Sequence, residues 1–362
     1  MGSRRRWVRG AQVTLSLVVA IGIFALVIPK IASYSSVWRT LSELTYIELG
    51  SLVAAAGFNL ITYYFQIVAA LPGLRLGQAA VVNQSSTTIA NILPGGGAIA
   101  VGVSYAILRS WGFTGADTAL MMSTTGMWNS FMKLFLPVLA LGLLAMTGDA
   151  TTSLIIPAAI GLGLLLASLT IFAMVLWKKR LARAFGEWIG RIASTVRRLV
   201  RKPAVAGMGD RAVTFRKQTL NLVSKRWPAL TVATVVSHLG LYFVLLLTLR
   251  HVGVTEQEIS SVQVLAVFAF ARLLSAAPIT PGGVGVVELA LIGGLYAAGR
   301  DSADVSLDVL KAQVTAAALL FRTLTFGIQI PLGGFTYLIW QRKSSWRKTV
   351  PATPEPVGAP HG

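Results

Sequence analysis

No cysteine occurs anywhere in the 362 residues, which excludes a disulfide framework and any thiolate metal site and leaves the redox compartment open. Charge is scarce as well: 12% of the residues are charged, whereas a soluble domain carries roughly a quarter. Acids are the scarcest of all, 13 Asp and Glu against 32 Lys and Arg, with three histidines far apart. Membrane-embedded catalysis needs clustered acids, histidines or metal ligands at an interface. None is visible, so we assign no catalytic residue, no metal and no cofactor, and read the chain as a non-enzyme.

What fills the chain instead is apolar: 54% hydrophobic residues and a mean hydropathy of +0.69. The bilayer is its solvent. About 20 residues cross the hydrocarbon as a helix, and six runs are long enough, at about residues 11–29, 46–71, 118–146, 152–177, 228–250 and 310–340. Two further apolar stretches, 80–109 and 260–299, are each interrupted by proline and paired glycines and read as broken helices or re-entrant hairpins. The fold expected is all-α, a polytopic transmembrane helical bundle. The first run follows Arg4, Arg5, Arg6 and Arg9, and Lys30 to Ser36 offers no convincing cleavage site, so it reads as a retained anchor.

The formal charge of +19 invites a nucleic-acid reading. Its placement argues otherwise. With a cytoplasmic N-terminus, and each broken stretch returning to its own side, 24 Lys and Arg fall inside and four outside, Lys30, Arg39, Arg250 and Arg300. That is the positive-inside rule. The chain divides into a first transmembrane half (1–177), a cytoplasmic basic linker (178–227), a second half (228–340) and a cytoplasmic basic, Pro-rich tail (341–362).

Two units, 46–146 and 228–340, each contain a span, a stretch broken at Pro-Gly-Gly and another span. On the topology above the two units enter from opposite sides, which makes an inverted repeat. Paired interrupted helices in opposed repeats point to a transporter site near the midplane. Proline removes an N–H donor and glycine permits helix-ending dihedrals, and such backbone is tolerated at membrane depth only inside protein or along a wet cavity. Helices restarting at Ala98 and Val284 would aim their N-termini at an anion such as phosphate. The other reading, prolines as packing kinks and glycines as close-contact points, stays open.

The run Pro278-Ile279-Thr280-Pro281-Gly282-Gly283-Val284-Gly285-Val286-Val287-Glu288, and more loosely Asn91-Ile92-Leu93-Pro94-Gly95-Gly96, resembles the lysylphosphatidylglycerol synthase transmembrane, flippase-like family of bacterial membrane proteins. The resemblance covers about residues 10–340. It implies a lipid-handling fold in the bacterial cytoplasmic membrane. No soluble aminoacyl-transferase domain follows Arg342, so lipid aminoacylation by this chain is not expected. Gly97 to Ala106 is uncharged where family members often carry charge, so headgroup choice is not carried over.

Candidate binding residues are Asn91, Pro94, Gly95 and Gly96 at the first break, Pro281, Gly282 and Gly283 at the second, and four charges within apolar runs, Lys133, Arg272, Glu288 and Arg322. Such charges face the protein interior and are functional candidates by default. Arg272 and Glu288 flank the second break and are expected to pair, either at a substrate site or as a structural ion pair. The polar run Asn83 to Thr88 should line a cavity or bond to neighbouring helices, and His238 reads as a packing residue. In the linker, Leu181, Phe185, Trp188, Ile189, Ile192, Val196 and Leu199 recur at helical spacing among Arg183, Arg191, Arg197, Arg198 and Arg201. This basic amphipathic helix either lies on anionic inner-leaflet lipid or caps the bundle. The expected partners are membrane lipids, anionic or bearing a lipid-linked phosphate, with no nucleic acid. The function expected is flippase-type transport; a membrane-embedded enzyme of lipid phosphates or polyprenyl-linked sugars, or an accessory subunit of an envelope enzyme, are the alternatives.

Overall fold

A computed structural model describes residues 34–93, 96–147, 152–198, 207–276 and 280–342, and among them every regular element is helical. Twelve α-helices follow in order: α1 (Tyr34–Ser42), α2 (Tyr46–Ala70), α3 (Leu76–Ile92), α4 (Gly96–Ser110), α5 (Gly115–Thr147), α6 (Thr152–Trp177), α7 (Lys179–Arg198), α8 (Met208–His251), α9 (Ser261–Leu274), α10 (Val286–Gly299), α11 (Leu307–Arg322) and α12 (Gln329–Arg342). A 3-10 turn occupies Pro281–Gly283, and a π-helical segment, Thr323–Gly327, joins α11 to α12. The expected first span, 11–29, and the tail beyond Arg342 lie outside the described residues, as do Pro94, Gly95 and Arg201; of Arg197 only the backbone is described.

Five of the expected spans are helices long and apolar enough to cross a membrane. Segment α6 makes the solvent plain, because Ile160, Leu164, Leu166 and Ile171 are all more than half exposed along a very apolar helix. Water would not tolerate that surface; lipid does. Helix α8 is one element of 44 residues through Pro228, about 66 Å long against a hydrocarbon core of roughly 30 Å. The basic segment 208–227 is therefore its extension beyond the bilayer, continuous with the span.

The turns are closed by short polar side chains. Thr45 Oγ1 accepts the Glu48 N–H while Glu48 accepts that of Thr45; Thr114 and Asp117, Thr255 and Glu258, and Ser260 and Gln263 repeat the device. Each satisfies N–H groups that a helix start leaves open. Before α9, burial alone would raise the Glu256 carboxyl, but the Ser261 N–H and hydroxyl and the Arg250 guanidinium outweigh it and hold it below the usual carboxylate range.

Helices α2 and α8 pack side by side and antiparallel: Ser51 meets His251 at 2.8 Å, Asn59 meets Ser237, and Gln66 meets Thr234. The remaining contacts are reciprocal. The arm α3 packs on α12, the helix that follows the second broken stretch and α11, and the arm α9 packs on α5, the helix that follows the first broken stretch. All four arms of the broken stretches are short, 17, 15, 14 and 14 residues, about 21–26 Å each. The longest, α3, only reaches the shortest length that spans the hydrocarbon, and the other three fall below it.

Two apolar clusters hold the bundle. One gathers α3 and α4 with the C-terminal end of α2 and the N-terminal side of the α8 span, through Ile67, Leu71, Val81, Ile107, Leu108 and Leu230. The other gathers α9, α10 and α11 with the opposite ends of α2 and α8, through Leu52, Leu245, Phe268, Leu291 and Val314. Along α2, α5 and α8 the buried side chains between the clusters are polar: Asn59, Thr62 and Gln66, Thr124, and Thr234, Ser237 and His238.

Candidate functional site

The chain restarts at opposite ends of α2 and α8 and brings its two breaks together. At the first, the Leu93 N–H reaches the Ile89 carbonyl (3.1 Å) and the Gly96 N–H the Leu93 carbonyl (2.7 Å). A Cβ on Gly96 would overlap the Ile89 carbonyl, so only glycine closes this corner. At the second, Gly282 (φ 60°), Gly283 (φ 70°) and Gly285 (φ 85°) all adopt left-handed backbone, which side chains disfavour. The Asn91 Oδ1 lies 3.3 Å from where a Cβ on Gly282 would stand, and the Phe326 ring fills most of that position.

Glu288 and Arg322 fix this corner. Glu288 is 3% exposed; its Oε2 accepts the Gly285 N–H at 2.7 Å and its Oε1 accepts Arg322 Nε at 2.8 Å. The other arm of the guanidinium donates to the Gly282 carbonyl at 3.0 Å, and its carbon stands 4.4 Å over the Phe326 ring. Thr280 Oγ1 donates to the Val284 carbonyl. Arg322 itself directly precedes the π-helical segment, where the Ile328 N–H reaches back to Thr323. Such local departures from α-geometry are frequent at functional sites.

The expected pairing of Arg272 with Glu288 is corrected: Glu288 pairs with Arg322. The reason is directional. Glu288 sits in the first turn of α10, where its carboxylate closes its own helix N-terminus and meets α11, whereas Arg272, near the end of α9, belongs to the face of the bundle that holds α5 and α8. The N-terminus of α10, which begins at Val286, two residues beyond Val284, is thereby occupied by the chain's own acid.

Arg272 lies instead near Lys133 on α5 and His238 on α8. His238, expected as packing, is fully buried, with Nδ1 donating to the Thr234 carbonyl at 3.0 Å. It belongs to a polar belt between the two apolar clusters. In that belt Asn59 donates to the Ser237 carbonyl (2.7 Å), Gln66 to the Thr234 hydroxyl (2.7 Å) and Asn129 to the side-chain Oε1 of Gln66 (3.3 Å). The spacing 59, 66 on α2 and 129, 133 on α5 carried this signal, because one helix face recurs at every third or fourth residue. The polar first arm bonds largely to neighbours: Gln84 to Tyr64, Ser85 to Thr336, Thr88 to the Gln329 carbonyl.

In the linker, α7 packs on α8 through Ala182, Gly186 and Gly190, with Arg183 and Asp210 paired at 2.6 Å. Leu181, Phe185, Trp188, Ile189 and Ile192 stay exposed. Arg183, Arg191 and Arg198 line a cavity of about 690 Å³ between α7 and the start of α8. Arg226 is shared by two others, an apolar groove of about 400 Å³ between α2 and α8 and a more polar one of about 500 Å³ beside Asp117 and Lys225.

The family described as Lysylphosphatidylglycerol synthase TM region matches residues 13–333. The chain belongs to that family. It is a multi-pass membrane protein, and the family match spans both broken stretches, so the resemblance in the Pro-Gly-Gly runs is part of a likeness over most of the length. No curated protein matches the chain significantly.

Proposed function

We propose that this member of the lysylphosphatidylglycerol synthase TM region family is a flippase-type transporter, moving a lipid or lipid-linked headgroup across the bacterial cytoplasmic membrane, and that its two broken stretches are opposed re-entrant halves of one pathway. The observation that carries the reading is the meeting of the two breaks, with Asn91 against Gly282. Irregular backbone from two separate halves of a chain converges at depth where it serves a polar passage. The antiparallel α2 and α8 and the reciprocal packing of α3 on α12 and α9 on α5 support the inversion. The exposed apolar row of α7, flanked by arginines, suits the surface of an anionic inner leaflet.

Because the chain has no cysteine, single cysteines test the inversion directly. Cysteine at Ala98 should label with a membrane-impermeant maleimide from the cytoplasmic side only, and cysteine at Val286 from the outside only. Labelling of both from one side would sink the opposed arrangement.

Transport is tested in proteoliposomes, following headgroup movement of anionic, aminoacylated and polyprenyl-linked lipids. One class should move, and Asn91→Leu, which fills the meeting point of the breaks with an apolar branch, should slow it at least about tenfold, a loss equivalent to roughly 1.4 kcal/mol. Absence of movement for every class would overturn the reading.

A further inference from the structure

Helices α5, α8 and α9 pack on one another, and they bring two cationic side chains, Lys133 on α5 and Arg272 on α9, within each other's field beside the buried His238 of α8. Among the described residues no carboxylate pairs with any of them, and Glu288 is committed to Arg322 and the Gly285 N–H. Arg272 Nε and His238 Nε2 are buried without a hydrogen-bond partner, and so are Asn129 Oδ1 and Ser237 Oγ on the same interface. Buried polar atoms are nearly always satisfied, and charge inside a membrane is ordinarily paired. Here like charges are gathered and left open.

A cluster of this kind is stable only if something negative completes it. Guanidinium and ammonium groups together match an oxyanion, the fork of the first giving paired N–H donors and the second a point charge. The neutral donors and acceptors of the belt, Asn129 and Ser237, stand ready for the polar remainder of a headgroup. We propose that Lys133 and Arg272 form the seat of a phosphate-bearing group, held within the bundle during passage. The inference deepens the transport reading and rests on it for the word passage; the seat itself stands on the uncompensated cluster. A lipid phosphodiester and free phosphate share this chemistry.

The test uses the full chain in an uncharged maltoside detergent, reading Tm against three probes: inorganic phosphate, phosphatidylglycerol and diacylglycerol. Phosphatidylglycerol should raise Tm saturably and diacylglycerol should not; a matching rise with inorganic phosphate identifies a free-anion seat, and a rise with the lipid alone identifies a lipid headgroup seat. Lys133→Met and Arg272→Gln should each weaken the response at least about tenfold, the loss of one charge-assisted hydrogen bond, while Lys133→Arg retains most of it. Ligand-free Lys133→Met should melt above wild type, because it relieves repulsion, a readout that needs no ligand. Equal response to diacylglycerol, no response to any probe, or unchanged affinity in both folded variants overturns the seat. Lipid movement in proteoliposomes that ignores these substitutions removes the seat and leaves transport standing. Phosphate binding without any movement leaves the seat and removes transport.

Discussion

Replacing Arg322 with alanine should cost the folded protein about 3–5 kcal/mol, the scale for stripping one partner from a buried ion pair. The Glu288 side chain is 4% exposed and the Arg322 side chain 14%, so the carboxylate left behind has almost no access to water. It would keep the Gly285 N–H as a donor and lose its countercharge. The Gly282 carbonyl loses its guanidinium donor at the same time, and the left-handed turn of Pro281–Gly283 loses the group that ties it to α11. Equilibrium unfolding in mixed micelles measures the loss. The double variant Arg322→Met with Glu288→Gln separates charge from shape, since the glutamine carbonyl oxygen still accepts the Gly285 N–H and no ion is left unpaired. It should recover more than half of the lost stability. An Arg322→Ala loss below about 1 kcal/mol, the range of exposed pairs, would show that water reaches Glu288 and that the pair does not hold the break.

Much of this architecture was legible in the residues. Long apolar runs bounded by basic loops placed four spans within a few residues of the helical segments observed, and the C-terminal end of a fifth, because hydrocarbon thickness fixes the length of an apolar run. The breaks between α3 and α4 and at Pro281–Gly283 were legible because proline and glycine act locally on the backbone. The partner of Glu288 was not. Arg272 and Arg322 lie on either side of it in the chain, and the choice between them depends on which face of α10 turns toward α11, a property of tertiary packing with no local signal. The polar belt was half legible. Asn59, Gln66, Asn129 and Thr234 are scattered polar residues of three different spans, and only the packing of α2 with α8 and α5 sets them beside Lys133 and His238. The basic amphipathic linker was read correctly as a helix. Its continuation into α8 through Pro228 was not anticipated, because α8 there shifts from a polar to an apolar composition without ending.

Gly333→Ala should destabilise the protein by about 1–3 kcal/mol, the usual cost of forcing volume into a filled contact, whereas Gly334→Ala one residue on should be neutral or slightly stabilising. A Cβ on Gly333 would overlap the carbonyl oxygen of Gln84 and the hydroxyl of Thr88, while a Cβ on Gly334 meets nothing within 4 Å. The Gln84 carbonyl is backbone, so rotating the Thr88 side chain cannot relieve the overlap fully and α12 must move away from α3. That movement also breaks the hydrogen bonds of Thr88 to the Gln329 and Ile330 carbonyls, at 2.8 and 3.3 Å. Small residues at such positions let membrane helices approach closely. For Gly334 the general preference of a helix for alanine over glycine, roughly 0.5–1 kcal/mol, is all that remains. The pair of variants therefore asks one question of the fold, whether the first arm is clamped to the last span, with helix propensity held constant. Since α3 carries Asn91 at its end, a loosened clamp should also displace the meeting point of the two breaks, and headgroup movement should fall with stability in Gly333→Ala alone. Equal melting temperatures for the two variants would show that α3 and α12 can part without cost, and the hairpin would then owe its position to the contacts around Gly282.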